Sequence, residues 1–94
     1  MINIYYNDGV QPGTWVRTCN TIREAKKWVN KQLKGYTMVD DNHPCTDDVI
    51  ASSRTAKYMI FDGGPITTDE DGELTFAEPI YMSDYFYTGH YAFE

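Results

Sequence analysis

The stretch from Thr21 to Gly35 constrains the fold more than any other part of this 94-residue chain. Thr21 and Glu24 fit a capping box, in which each side chain pairs with a free backbone amide at the start of a helix. Apolar residues then recur on one face at helical spacing, namely Ile22, Ala25, Trp28, Val29 and Leu33. Because glycine is typical just beyond a helix end, the sequence predicts one main amphipathic helix over about residues 22–34.

Short segments with β-strand character surround this helix. They are residues 2–6, 14–19, 57–61, 66–68, 73–76 and 79–82. Turn residues join the first two segments, and also the fourth and fifth, which predicts two hairpins. The 57–61 segment has four apolar residues after Lys57, a run typical of a buried strand. The last segment is predicted as an edge strand, since Pro79 cannot donate to a central ladder.

The middle of the chain has a weaker pattern. Residues 36–48 show no clear period, and we expect an irregular connection there. Thr46 and the two aspartates after it are suitable caps for a short second helix ending near Ser53. The sum is one α+β domain over residues 1–94, in which an antiparallel sheet of about four to six strands carries the main helix on one face.

Charge is unevenly distributed along the chain. All eight Lys and Arg residues lie in residues 1–57, where six acids offset six of them and leave a formal charge of +2. Residues 58–94 carry eight acids and no Lys or Arg, which gives −8. That part is also rich in aromatic residues, with Tyr81, Tyr85, Phe86, Tyr87, Tyr91 and Phe93. Carboxylates without basic neighbours imitate a phosphate backbone, and tyrosines are good interface anchors.

We therefore expect the protein to bind a protein partner that has a basic surface, such as the nucleic-acid groove of an enzyme. In size and charge it resembles small acidic phage proteins that inhibit host nucleic-acid enzymes, which implies a role as inhibitor or adaptor. The residues expected to contact the partner are Asp69, Glu70, Asp71, Glu73, Tyr81, Asp84, Tyr85 and Tyr87. The structural alternative is that Tyr81, Phe86 and Phe93 belong to the core and that the acids only keep a small domain soluble.

The outer side of the predicted helix is basic. Arg23, Lys27 and Lys31 follow one another at four-residue spacing, and each such pair of like charges costs about 0.2–0.5 kcal/mol in an isolated helix. Three explanations stay open: a solvated face, a nucleic-acid-binding module that uses Arg23, Lys27, Lys31 and Lys34, or pairing with the chain's own acids. That pairing would occur within the fold or head to tail between copies, so a homo-oligomer is also open. The net charge of −6 argues against direct binding of nucleic acid.

A calcium-binding loop at residues 67–78 is another alternative. Asp69, Asp71, Gly72 and Glu78 match positions 3, 5, 6 and 12 of an EF-hand loop. Thr67, however, stands where the first aspartate belongs. The glycines and proline at 63–65, and Pro79, also disfavour the flanking helices. An acidic hairpin turn explains the same residues without a metal.

Catalytic and metal-site signals are weak. His43 and Cys45 lie among aspartates but lack the paired spacing of zinc ligands, and nothing orients His43 or His90 beside either cysteine. We expect no enzyme activity, no metal and no cofactor. The chain has no signal peptide and no long apolar run, so a cytoplasmic protein without membrane contact is expected. Cys19 and Cys45 are then reduced thiols, and the alternative is one bridge between them.

Overall fold

A computed structural model describes residues 1–8, 13–39 and 55–88, and it confirms the α+β fold. The elements in chain order are β1 (Ile2–Asn7), β2 (Thr14–Cys19), α1 (Ile22–Leu33), β3 (Thr55–Asp62), β4 (Ile66–Thr68), β5 (Leu74–Phe76), β6 (Tyr81–Met82) and β7 (Phe86–Tyr87). Every segment predicted as a strand overlaps one of β1 to β6, whereas β7 lies beyond the predicted strands. The predicted short helix ending near Ser53 lies outside the described residues, as do Cys45, Tyr91 and Phe93.

β3 lies at the centre of an antiparallel sheet. β1 pairs along one side of it, β2 pairs with the far edge of β1, and β6 and β7 pair with successive parts of the other side of β3. β4 and β5 form a separate two-stranded sheet. Of the eight residues of β3 only Asp62 is exposed, which confirms the buried strand predicted at 57–61. Because β3 is central, both of its edges are paired.

α1 begins with the predicted pair Thr21 and Glu24, although Glu24 bonds the amide of Asn20 rather than that of the N-cap residue Thr21. The Thr21 hydroxyl oxygen accepts a hydrogen bond from the Glu24 amide at 3.1 Å, and Glu24 Oε2 accepts one from the Asn20 amide at 3.1 Å. The helix ends at Leu33, one residue before the predicted end, and Lys34 caps it. No helix in the described part of the chain has the length and apolar content needed to cross a membrane.

The main core lies between α1 and one face of the sheet, which we call the helix face. Its buried members are Ile2, Ile4, Cys19, Ala25, Val29, Ala56, Tyr58, Ile60 and Phe86. Phe86 is 0% exposed, and its ring lies 5.6 Å from that of Tyr58 and 4.4 Å from that of Tyr36. Phe86 therefore belongs to the core, as the structural alternative expected. Cys19 is a free and buried thiol.

The edge beside β3 is interrupted between β6 and β7. Met82 pairs with Met59, whereas Phe86 pairs with Ala56, so the register slips by one residue. Ser83 spans the interruption: its amide donates to the Tyr58 carbonyl at 2.9 Å, and its hydroxyl oxygen accepts from the Tyr58 amide at 2.9 Å. A buried side chain thus replaces the missing backbone acceptor and keeps both strands on β3.

Candidate protein-interaction surface

The hairpin formed by β4 and β5 stands apart from the main core. Ile66 pairs with Phe76 and Thr68 pairs with Leu74, so these four side chains share one face of the hairpin. All six strand residues are exposed, and Leu74 and Phe76 are 78% and 54% exposed. An isolated two-stranded hairpin is only marginally stable in water. Exposed apolar side chains on such an element are typical of a surface that a partner covers.

Asp69 holds the turn of this hairpin in shape. Its Oδ1 accepts hydrogen bonds from the amides of Asp71 and Glu73, each at 2.9 Å. The backbone closes the same turn, since the Asp69 amide donates to the Glu73 carbonyl at 2.8 Å and the Gly72 amide donates to the Asp69 carbonyl at 3.1 Å. Gly72 has a φ of +84°, a conformation that favours glycine. The sequence predicts the turn and the charge of Asp69 but not these two hydrogen bonds, although aspartate at the start of a turn is a known signal for them.

The turn carries four carboxylates within five residues, which we call the acidic turn: Asp69, Glu70, Asp71 and Glu73. All four residues are exposed. Among the described residues, no Lys or Arg lies within 4.0 Å of these carboxylates, and the ion pair that does form joins the N-terminal amine to Asp62 at 3.8 Å. The acidic turn therefore presents its charge to solvent.

The other predicted contact residues lie along the β6–β7 edge and do not all face the same way. Tyr81 pairs with Ile60 and packs against the main core, and Lys26 Nζ lies 5.0 Å from the centre of its ring. Lys57 Nζ lies 4.9 Å from the ring of Tyr85.

Asp84 is exposed, and Tyr85 and Tyr87 are half-buried. Tyr87 pairs with Thr55, and its amide donates to the Thr37 carbonyl at 2.9 Å. The structure thus brings the four acids together and places the Tyr81 ring on the helix face, at the side of α1.

The sheet face opposite the helix, here called the outer face, carries an apolar row that sequence reasoning missed. Tyr5 lies directly opposite Trp15 on one side and Met59 on the other, and Met59 lies opposite Met82. Trp15 is 55% exposed and Met82 is 52% exposed. In the alternating pattern of residues 2–6, Tyr5 shares its side of the strand with Asn3 rather than with Ile2 and Ile4. The aromatic residue at that alternate position was the available signal that both faces carry apolar groups.

The base of the hairpin packs on this outer face. A small cavity of about 80 Å³ lies between the hairpin and the sheet, and its lining includes Met59, Phe61, Phe76, Pro79 and Met82. Phe76 therefore links the exposed face of the hairpin to the apolar row. The arrangement also places the hairpin and α1 on opposite sides of the sheet.

The basic side of α1 is exposed as predicted. Arg23, Lys27, Lys31 and Lys34, which we call the basic helix face, line one open cavity together with Ile22. Ile22 was predicted to face the core but is 41% exposed, whereas Ala25 and Val29 are fully buried. No described carboxylate lies within 4.0 Å of these four cations.

Residues 67–78 do not adopt the helix–loop–helix form of an EF-hand. Thr67 lies in β4, Leu74 lies in β5, and the loop between them is the hairpin turn. Asp69, which would occupy a ligand position, uses its side-chain oxygen for two backbone amides. Within the described residues no group of three or more His, Cys, Asp or Glu side chains is arranged to hold a metal ion.

Comparison of the chain with protein-family models, with curated proteins and with solved structures found no match in any of the three.

Proposed function

We propose that this protein is a small interaction domain that binds the basic surface of a protein partner through the β4–β5 hairpin. One observation carries the proposal: the hairpin exposes all six strand residues while its turn holds four carboxylates that no described cation neutralises. A hairpin that served stability alone would gain most by burying its apolar face.

Different residues of the hairpin would serve different purposes. Glu70, Asp71 and Glu73 supply charge, while Leu74 and Phe76 supply apolar area beside it. Known interfaces combine an apolar centre with a polar rim in this way. Asp84, Tyr85 and Tyr87 would extend the contact along the β6–β7 edge in a partner large enough to reach it.

The charge of the acidic turn favours a basic partner for a physical reason. Unneutralised carboxylates attract a basic groove over about 10 Å at about 0.1 M salt, and this attraction raises the association rate. A groove occupied in this way is closed to nucleic acid, which supports a role as inhibitor or adaptor of a nucleic-acid-binding protein.

The test compares two variants that lose the same charge. E70Q/D71N/E73Q removes three charges from the turn but keeps Asp69 and its hydrogen bonds. D8N/D62N/E78Q removes three charges from other exposed positions. Proteins captured from source-cell lysate by the tagged wild-type domain would be tested for nucleic-acid binding with each variant present.

We expect wild type and the D8N/D62N/E78Q control to displace nucleic acid from the captured partner, and E70Q/D71N/E73Q to need about ten times the concentration. This factor follows from about 0.2–1 kcal/mol for each lost surface pair. Equal displacement by both variants would show that the acidic turn is not the contact. If neither wild type nor either variant displaces nucleic acid from the captured proteins, the inhibitor role is wrong.

A further inference from the structure

Opposite charges lie on opposite sides of this molecule. The basic helix face points away from the sheet on the α1 side, and the hairpin that carries the acidic turn is based on the outer face. The described parts of the two surfaces form no ion pair with each other. We propose that the basic helix face is a docking site for the acidic turn of a second copy of this chain.

The basic residues lie close enough together to contact several carboxylates at once. Arg23, Lys27 and Lys31 form one row that rises about 12 Å along the helix, and Lys34 continues it at the C-terminal end. In an isolated helix these like charges repel. A set of carboxylates laid along the row removes that repulsion, and the acidic turn presents four of them within five residues.

Apolar residues accompany the charges on both surfaces. Ile22 is 41% exposed in the cavity that the basic helix face lines, and Leu74, next to Glu73 in the hairpin, is 78% exposed. A contact that pairs the acidic turn with the cations can therefore also remove Ile22 and Leu74 from water. Charge and apolar complementarity thus point to the same occupant.

Nucleic acid is the rival occupant of the basic helix face. Duplex DNA carries about one negative charge per 1.7 Å, and this domain has a net charge of −6, so long-range repulsion opposes their encounter. A second copy carries the same net charge of −6, but four of its acids lie together in a turn on the side of the molecule opposite its basic helix face. The electrostatics therefore favour the second copy.

The two patches lie on opposite sides of the molecule, so one pair of copies cannot make the contact twice. The contact is therefore heterologous and leads to rings or open chains rather than a two-fold dimer. It also has a regulatory consequence, which rests on the proposed function: the acidic turn has two competing occupants, the partner protein and the helix of another copy. Self-association then withholds the turn from the partner as the protein concentration rises.

The test uses complementary charge reversal. R23E/K27E/K31E makes the helix face acidic, and E70K/D71K/E73K makes the turn basic while it keeps Asp69. The wild-type net charge is −6. Each replacement of an acid by Lys adds +2, so the turn variant has a formal net charge of zero. Each replacement of a basic residue by Glu adds −2, so the helix variant has one of −12. Sedimentation velocity over a concentration series would be measured at about 0.01 M and about 1 M ionic strength, where the Debye length is about 30 Å and about 3 Å.

We expect wild type to associate at low ionic strength and to dissociate at high ionic strength. Each variant alone should associate at least tenfold more weakly, and their equimolar mixture should recover association, because each then offers the charge that the other lacks. A wild type that stays monomeric at low ionic strength, or a mixture no different from its parts, overturns the proposal. A salt-sensitive shift of a labelled DNA duplex that R23E/K27E/K31E abolishes, without self-association, assigns the face to nucleic acid instead.

The two proposals can fail separately. The helix variant leaves the acidic turn intact, so it should lose self-association and still displace nucleic acid from the partner. Loss of both properties would mean that the helix face contacts the partner directly.

Discussion

Asp69 allows the charge of the acidic turn to be separated from its shape. Its Oδ1 accepts hydrogen bonds from two backbone amides, each at 2.9 Å. Asp69→Ala therefore removes both hydrogen bonds as well as the charge. Asp69→Asn removes the charge but keeps an oxygen that can accept both bonds. Loss of a capping oxygen at a helix start typically costs about 1 kcal/mol, and we expect a similar cost for opening this hairpin.

The cost should be local. The six strand residues of the hairpin are all exposed, so its opening uncovers little of the main core. About 1 kcal/mol corresponds to a roughly fivefold rise in the open population. Hydrogen exchange followed by NMR at the Asp69 and Ala77 amides reports this opening, since these amides donate to Glu73 and Pro65 across the hairpin.

Asp69→Ala should therefore speed exchange at both amides about fivefold, while its melting temperature stays close to that of wild type. Asp69→Asn should exchange as wild type does. If Asp69→Ala left exchange unchanged, or if Asp69→Asn sped it equally, the two hydrogen bonds would not be what holds the turn.

Three further predictions concern the main sheet. Ser83→Ala leaves the buried Tyr58 amide without its 2.9 Å acceptor, which should cost about 1–3 kcal/mol in a urea melt; an unchanged midpoint would mean that another acceptor replaces the hydroxyl. Gly13→Ala should lower the free energy of unfolding by at least about 1–2 kcal/mol. The φ of Gly13 is +89°, and an added Cβ would lie 2.5 Å from the Tyr6 carbonyl oxygen. Gly64→Ala is the mild control, because its added Cβ would lie 3.9 Å from the nearest atom. Burial, followed by nearby charges, raises the pKa of Tyr6 and Tyr58 above 10.0. These tyrosines lose their protons at lower pH in the unfolded chain than in the folded protein. Their contribution to the free energy of unfolding is therefore complete below pH 10 and declines as the pH rises past it. Thermal melts should show this decline, and the double change of Tyr6 and Tyr58 to Phe should reduce it.

Local signals predicted most of the fold. The capping box and the apolar spacing were enough to predict the helix, and a short apolar run was enough to predict β3. The Ser83 interruption could not be predicted, because it depends on which amide of β3 lacks a partner after β6 and β7 have paired. The exposure of Ile22 likewise depends on where the helix lies over the sheet, which its own spacing does not determine.

The acidic turn was predicted from its charge together with the hairpin signal, which brings the four carboxylates close together. The apolar row beside it was not predicted, because Trp15, Tyr5, Met59 and Met82 come from four strands and meet only through the register of the sheet. Tyr81 was predicted to contact the partner because its segment is rich in aromatic residues. That richness does not indicate toward which face of the sheet a ring points. Pairing with Ile60 places its ring toward the helix.

The separation of the hairpin from the core has a consequence for how binding and stability are coupled. The main core buries Ile4, Ile60, Val29 and Phe86 between the sheet and α1, and none of these residues lies in the hairpin or on the basic helix face. Changes in either charged surface therefore alter association while the core keeps its packing. A partner that covers Leu74 and Phe76 adds apolar burial that the free hairpin lacks, so binding should slow hydrogen exchange in the hairpin more than in β3.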